Sequence, residues 1–270
     1  MTYEAQKVGE VKELGEIYRV DAPLDKQLQA FEKLGIRTLI TPEQVAQIRL
    51  AGISDVYSRT NVAPIAIKGG KTILFKNSPL MTPLMAVSAV NAHRNGEYLS
   101  LGKEVYDVAQ EIAKSEIGIE PEDRSAIALS QDGDFSLKVD SDETRFLLGK
   151  NGQKYFGKFV KDGEKGQIQL YNLVGNDKNK AIVNYLWFSN PQDGSDLVCG
   201  GRLLYVVIGA FGVLNSAEGS AQKNGYSLTE IGKANSEVIP VVFEQTKASG
   251  LTGMFARELN KGLLAKLRKQ

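Results

Sequence analysis

Apolar residues recur at three- and four-residue spacing through most of the first 120 positions, and at two-residue spacing through much of the remaining chain. Residues 1–22 are charged, with Val8, Val11, Leu14, Ile17 and Tyr18 on one helical stripe that Gly9 and Gly15 interrupt. LDKQLQAFEKL (24–34) places Leu24, Leu28, Phe31 and Leu34 on one helix face, and Gly35 stops it. A second helix starts at Thr41. Pro42 takes the first helical position and Gln44 completes a capping box. Val45, Ile48 and Ala51 line its inner face, and Gly52 closes it. ISDVYSRTN then predicts a short helix, and PIAIKGGKTILFK a hairpin turning at Gly69-Gly70. The small apolar run LMTPLMAVSAVNA predicts a buried helix from about Pro83 to Gly96. Residues 98–115 form an amphipathic one, with Leu101, Val105, Val108, Ala109 and Ile112 inward.

GIEPEDRS (118–125) breaks this helical half. Beyond it, Phe135, Leu137 and Val139 alternate with polar residues, and TRFLLGK, KYFGKFVKD, GQIQLYNLV and KAIVNYLWFSN continue as strands between Gly- and Asn-rich turns. LVCGGRLLYVVIGAFGVL is buried core, as strand or as helix; Val206, Val207 and Ile208 favour strand. The segment 251–267 reads as a basic amphipathic helix with Phe255, Leu259, Leu263, Leu264 and Leu267 inward. The expected fold is therefore α+β. A helix-rich part (1–120) precedes an antiparallel β-rich core (121–220) and a C-terminal helical segment (221–270), and all three can share one core.

Composition adds bounds on function. With 270 residues and a formal charge of +1, the chain can bury a sizeable core and carries no global field for nucleic acid or membrane. Charge is local instead. Residues 120–143 hold eight acids and two bases, 150–180 seven lysines and three acids, and 244–270 six bases and two glutamates. A single Cys199 excludes an intramolecular disulfide and points to a reducing, cytoplasmic compartment. The start of the chain has no apolar signal-like core, and the run 203–214 is too short to span a membrane.

Catalytic chemistry is not visible. One Cys and one His cannot build a zinc cage, and nothing near Cys199 or His93 activates either. Gly69-Gly70-Lys71-Thr72 lacks the first glycine of a phosphate-binding loop, since Ile65 stands in its place. Asp132, Asp134, Ser136, Asp140 and Glu143 follow the ligand order of a calcium loop, but Leu137 replaces its turn glycine and the strand alternation pulls those oxygens apart. No catalytic residue, metal or cofactor is assigned.

Two features suggest binding. TPEQVAQIRLAGIS, DVYSRTN, IAIKGGKTILF and NSPL (about 41–84) resemble the winged helix-turn-helix of the excisionase and MerR-like families. That resemblance implies a reading helix carrying Ser54, Tyr57, Ser58 and Arg59, with Lys68 and Lys71 at a wing tip touching phosphates. Separately, KNGQKYFGKFVKD (150–162), read as a strand, puts Lys154, Phe156 and Lys158 on one face, an arrangement that holds single strands on sheets. The expected function is a non-catalytic binding or assembly protein acting by self-association or on a protein partner. Nucleic-acid binding, to DNA or RNA, is the alternative, and an enzyme of unrecognised type the second.

Overall fold

A computed structural model gives the fold and describes residues 3–36, 38–54, 56–76, 80–131, 133–172, 174–190, 197–200, 204 and 207–214. All of these belong to one structural unit, Met1–Asn215. The second unit, Ser216–Gln270, and with it the basic helix expected at 251–267, lies outside the described residues. The fold is α+β.

The chain opens with strands in place of the expected helical stripe. β1 (Gln6–Val11) and β2 (Gly15–Ala22) form an antiparallel hairpin with Val11 opposite Gly15. Gly15 takes φ +97°, which only glycine adopts without strain, and Leu14 N donates to Val11 O at 2.9 Å to close the turn. β2 also pairs along its length with β13 (Ile208–Leu214), from Ala22↔Ile208 to Glu16↔Leu214. A ladder to such a distant strand decides the conformation here, and spacing within 22 residues cannot show it.

The next helices follow the sequence closely. α1 spans Leu24–Glu32, α2 spans Pro42–Leu50 and α3 spans Pro83–Arg94. The α2 capping box is complete: Gln44 N donates to Thr41 Oγ1 at 3.1 Å, and Thr41 N to Gln44 Oε1 at 2.8 Å. The short helix expected after α2 does not form. β3 (Ser58–Arg59) takes its place, followed by β4 (Val62–Ala66) and β5 (Ile73–Lys76), the predicted hairpin. The helix expected at 98–115 begins five residues later: β6 (Leu99–Gly102) comes first, then α4 (Lys103–Ser115).

β7 (Ala126–Ala128) and β8 (Phe135–Lys138) lead into a second correction. TRFLLGK and KYFGKFVKD are helices, α5 (Asp142–Leu148) and α6 (Gly152–Phe159), in place of the expected strands. Ser141 caps α5, accepting from Thr144 N at 3.2 Å, with Asp142 and Glu143 in the first turn where helix termini favour anions. In α6, Tyr155, Phe156 and Phe159 recur with helical period and, with Val160 at its C-terminal end, pack into the core. The remaining strands are β9 (Gln167–Asn172), β10 (Lys180–Val183), β11 (Tyr185–Phe188) and β12 (Leu197–Gly200).

Among the described residues the strands form two sheets. The larger runs β1-β2-β13-β3-β11-β12-β9-β8, the smaller β6-β10-β4-β5-β7. Pairing is antiparallel except for β12 on β9 and a single contact of β13 with β3. One pair of segments belongs to both sheets. Residues 58–66 run antiparallel to 180–188, first as β3 on β11, with Arg59 opposite Trp187, and then as β4 on β10, with Ile65 opposite Val183.

At the change of sheet, Thr60 N and Thr60 Oγ1 both donate to Leu186 O, at 3.0 and 2.9 Å, and Asn184 N donates to Pro64 O at 2.9 Å. Asn61, Val62 and Ala63 therefore stand against Tyr185 alone, a bulge that turns the segment from one sheet into the other. Pro64, an unusual residue for a central strand, is tolerated beside this interruption of the ladder.

α2, α5 and α6 pack on one face of the larger sheet, over Leu170, Leu186, Phe188 and Leu197. α1, packed against α3, covers the β2, β13 and β3 end of the opposite face. α4 covers the outer face of the smaller sheet through Tyr106, Ala109 and Ala113. No helix among the described residues is long and apolar enough to cross a membrane.

Two glycines test this arrangement. A Cβ on Gly175 would lie 2.1 Å from Ile67 C, so Gly175→Ala forces apart two backbones that touch, whereas Gly157 on α6 faces open space. Gly175→Ala is expected to cost about 3 kcal/mol or more, and Gly157→Ala to gain about 0.5–1 kcal/mol by stiffening α6. Urea unfolding of both variants checks this; a loss of stability in Gly157→Ala would restore the strand reading of 150–162.

His93, the only histidine, ends α3 with Nε2 buried and without a partner among the described residues, edge-on to Tyr98 at 5.4 Å. Burial holds its pKa below the usual value. The unfolded chain therefore binds this proton first. The stability contributed by neutral His93 is full above the unfolded pKa of about 6.5 and is lost as pH falls below it. Urea midpoints measured from about pH 7.5 to 5.5 should fall for the wild type, and fall less steeply for His93→Gln.

Candidate functional site

β9, β11 and β12 alternate cleanly, and the alternation decides which side chains face out. Ile168, Leu170, Leu186, Phe188, Leu197 and Cys199 enter the core under α5 and α6. Tyr171, Trp187 and Val198 point the other way. Register then aligns them: Arg59 stands opposite Trp187, Trp187 opposite Val198, and Val198 opposite Tyr171. One row thus crosses four neighbouring strands.

Exposure rises along that row. Arg59 is 2% exposed because α1 lies over it. Its Nη1 donates to Ala22 O and to Gln27 Oε1, both at 2.9 Å, and Gln27 in turn donates to Val20 O and Ile208 O. Burial lowers the Arg59 pKa to about 10, with the Asp25 carboxylate opposing the drop, so the guanidinium remains charged at neutral pH. Past α1 the face opens. Trp187 and Val198 are half-buried, and Tyr171 is 42% exposed. Tyr57, just before β3 and 40% exposed, packs on Trp187 with ring centroids 5.8 Å apart.

The border of this aromatic row is polar and almost uncharged. Ser136 on the edge strand β8 donates to Gln169 Oε1 at 3.0 Å, and Lys138 stands opposite Gln167. Asp134, just before β8, is taken up by the backbone: its Oδ1 accepts from Asn172 N at 2.7 Å. Trp187 Nε1 and Tyr185 Oη, two residues apart on the same face of β11, are buried donors without an acceptor among the described residues. Burial pushes the Tyr185 phenol well above its ordinary pKa.

The residues expected from sequence are spread over the molecule. Ser58 and Arg59 are buried in β3 and do not sit on an exposed reading helix, because that segment is taken into the larger sheet between β13 and β11. Ser54 is half-buried, and its Oγ accepts from Val56 N at 3.4 Å. Lys68 and Lys71 are exposed at the β4–β5 turn, as a hairpin tip requires. Phe156 is fully buried, which corrects its placement on an open face with Lys154 and Lys158; both lysines are exposed on α6. Of the expected set, Arg59 lies at the covered end of the row and Tyr57 packs on its exposed part. Sequence reasoning misses Trp187 and Tyr171, although the alternation in YLWF and QIQLYN sets each out of phase with its buried neighbours.

The other candidates for chemistry are structural. Cys199 is buried in the core, where burial pushes its thiol far above the ordinary value. It faces the helices, away from the aromatic row. Of the calcium-like set, Asp132 lies outside the described residues, and Glu143 Oε1 is used by Ser130 N at 3.0 Å. Among the described residues no group of acidic, His or Cys side chains is placed to hold a metal ion.

No family model and no curated protein matches the sequence. A solved structure titled "Accommodation of massive sequence variation in Nanoarchaeota by the C-type lectin fold" is 12% identical, with 78% of this chain and 98% of that chain covered and a TM-score of 0.44. A likeness of that size says nothing of what this chain binds.

Proposed function

We propose that this is a non-catalytic binding protein that associates with a second copy of itself through the outer face of its larger sheet. The observation that carries the reading is the in-register row of Trp187, Val198 and Tyr171, extended by Tyr57. Among the described residues of β8, β9, β11 and β12, the one charge on that face is Lys138; Asp134, exposed just before β8 and beside Tyr171, spends Oδ1 on Asn172 N. Tyr and Trp offer large rigid contact area at low entropic cost and dominate interface energetics. A two-fold interface brings the same patch of both subunits together, so any charge near its centre meets its own like. Here the centre is aromatic. Its border amides, Gln167 and Gln169, can donate as well as accept. Other exposed surfaces are richly charged, as on α4, where Lys103 pairs with Asp107 and Lys114 with Glu111.

Trp187 is the only tryptophan, so its emission reports on this surface alone. Sedimentation velocity from about 1 to 100 µM should show a concentration-dependent dimer, with a blue shift of Trp187 emission over the same range. Tyr171→Ser, which leaves that reporter in place, should weaken association about tenfold or more without lowering thermal stability by more than a few degrees. A protein that stays monomeric throughout overturns self-association and leaves the face to a different partner.

A further inference from the structure

The outward surface of α6 and the turn after it concentrates positive charge. Lys150, Lys154, Lys158, Lys161 and Lys165 are all exposed, against Asp162 and Glu164 in the same stretch. Several basic side chains elsewhere are matched with acids: Lys7 with Glu16, Arg19 with Asp21, Lys114 with Glu111, and Arg145 with both Glu120 and Glu122. The side chains of Lys154, Lys161 and Lys165 enter no ion pair or hydrogen bond among the described residues. Lys158 Nζ donates to Leu50 O at 3.0 Å, and Lys150 lies near the Glu122 carboxyl, which its own backbone and Arg145 chiefly hold below its ordinary value. In a chain of 33 bases and 32 acids this is local segregation. It also opposes the helix it sits on, since like charges four residues apart repel.

We infer that this lysine stripe binds the phosphate backbone of a nucleic acid without reading its sequence. Lysine acts on phosphate as a point charge, and contacts to phosphate position a nucleic acid without specifying bases. Lys154 and Lys158 are about 6 Å apart along the α6 axis, a ladder of charge that a polyphosphate chain can follow. A membrane surface fits less well. The apolar side of α6, Tyr155 and Phe156, is fully buried, so no apolar face remains to enter a bilayer. The site is separate from the aromatic face and does not depend on self-association.

Fluorescence anisotropy of a labelled oligo-dT strand, and of a duplex of equal length, tests this with the whole chain. Binding is expected at about 50 mM salt, weakening as salt rises with a log–log slope near −2 for three phosphate contacts on a single strand. The triple variant Lys154→Gln, Lys161→Gln, Lys165→Gln removes side chains that hold nothing among the described residues, and should bind about tenfold or more weakly at low salt. With a strand too short to reach two stripes of one dimer, Tyr171→Ser should bind as the wild type does. Absence of binding, or equal affinity of the triple variant, overturns the inference. Displacement of the strand by polyglutamate at the same charge concentration assigns the stripe to acidic polypeptides and overturns it as well.

Discussion

The fold depends on one pair of extended segments, 58–66 and 180–188, that serves two sheets at once. Each segment would be an ordinary strand if it stayed in one sheet. The bulge at Asn61–Ala63 rotates the pair instead, so that Ser58, Arg59 and Trp187 lie in the larger sheet while Ile65, Ala66 and Val183 lie in the smaller. Turning a ladder leaves polar groups buried where pairing stops. Asn61 N donates to Ile40 O, Thr60 binds Leu186 O twice, and Asn184 N reaches Pro64 O. Thr60, Asn61 and Asn184 are each 1% exposed or less. Replacing these bonds would leave unpaired amides inside the protein, which is costly, so the corner is over-determined.

Buried arginines then fix the helices against that corner. Arg49 of α2 donates to Tyr155 Oη of α6 at 2.6 Å, to Val56 O at 3.0 Å and to Ser189 O, while its guanidinium lies 5.1 Å from the centre of the Phe188 ring. Arg59 does the same on the opposite face by gripping Ala22 O and Gln27. Each charge is surrounded by acceptors, and removing one partner would leave the other stranded in a dry interior. The position of α1 over Arg59 also sets where the outer face of the larger sheet begins to open. The aromatic row is therefore exposed because of where one helix ends its cover.

Elements with local signals are legible in the sequence. The Thr41–Gln44 box, the Gly69-Gly70 turn and the Pro83 start each rest on contacts within a few residues, and all appear in the structure. The errors have two causes. The three- and four-residue spacing in residues 1–22 suggests a helix, but β2 is held by β13, which no local window contains. Continuity with neighbouring strands suggests more strand over 144–150 and 154–162, although the cap at Ser141 and the Tyr155, Phe156, Phe159 stripe are local helix signals. The candidate site is legible only in pieces. Alternation marks Tyr171 and Trp187 as outward-facing, yet their alignment requires β9 to lie parallel to β12, and register across a sheet is not written in either strand alone.

The two candidate surfaces lie on opposite sides of the larger sheet. α6 packs on the face that carries Leu170 and Leu186, and the aromatic row occupies the other. Occupation of one therefore leaves the other open. A dimer closed through the aromatic face would carry two lysine stripes, one on each outer side. A polyanion long enough to reach both would bind the second stripe intramolecularly, at an effective concentration set by the length between them, and so more tightly than either stripe alone. Assembly and weak backbone contact reinforce each other in that arrangement without any new residue being required. The near-neutral charge of the whole chain fits this division of labour, because attraction confined to one helix does not oppose the approach of two copies at a neutral face.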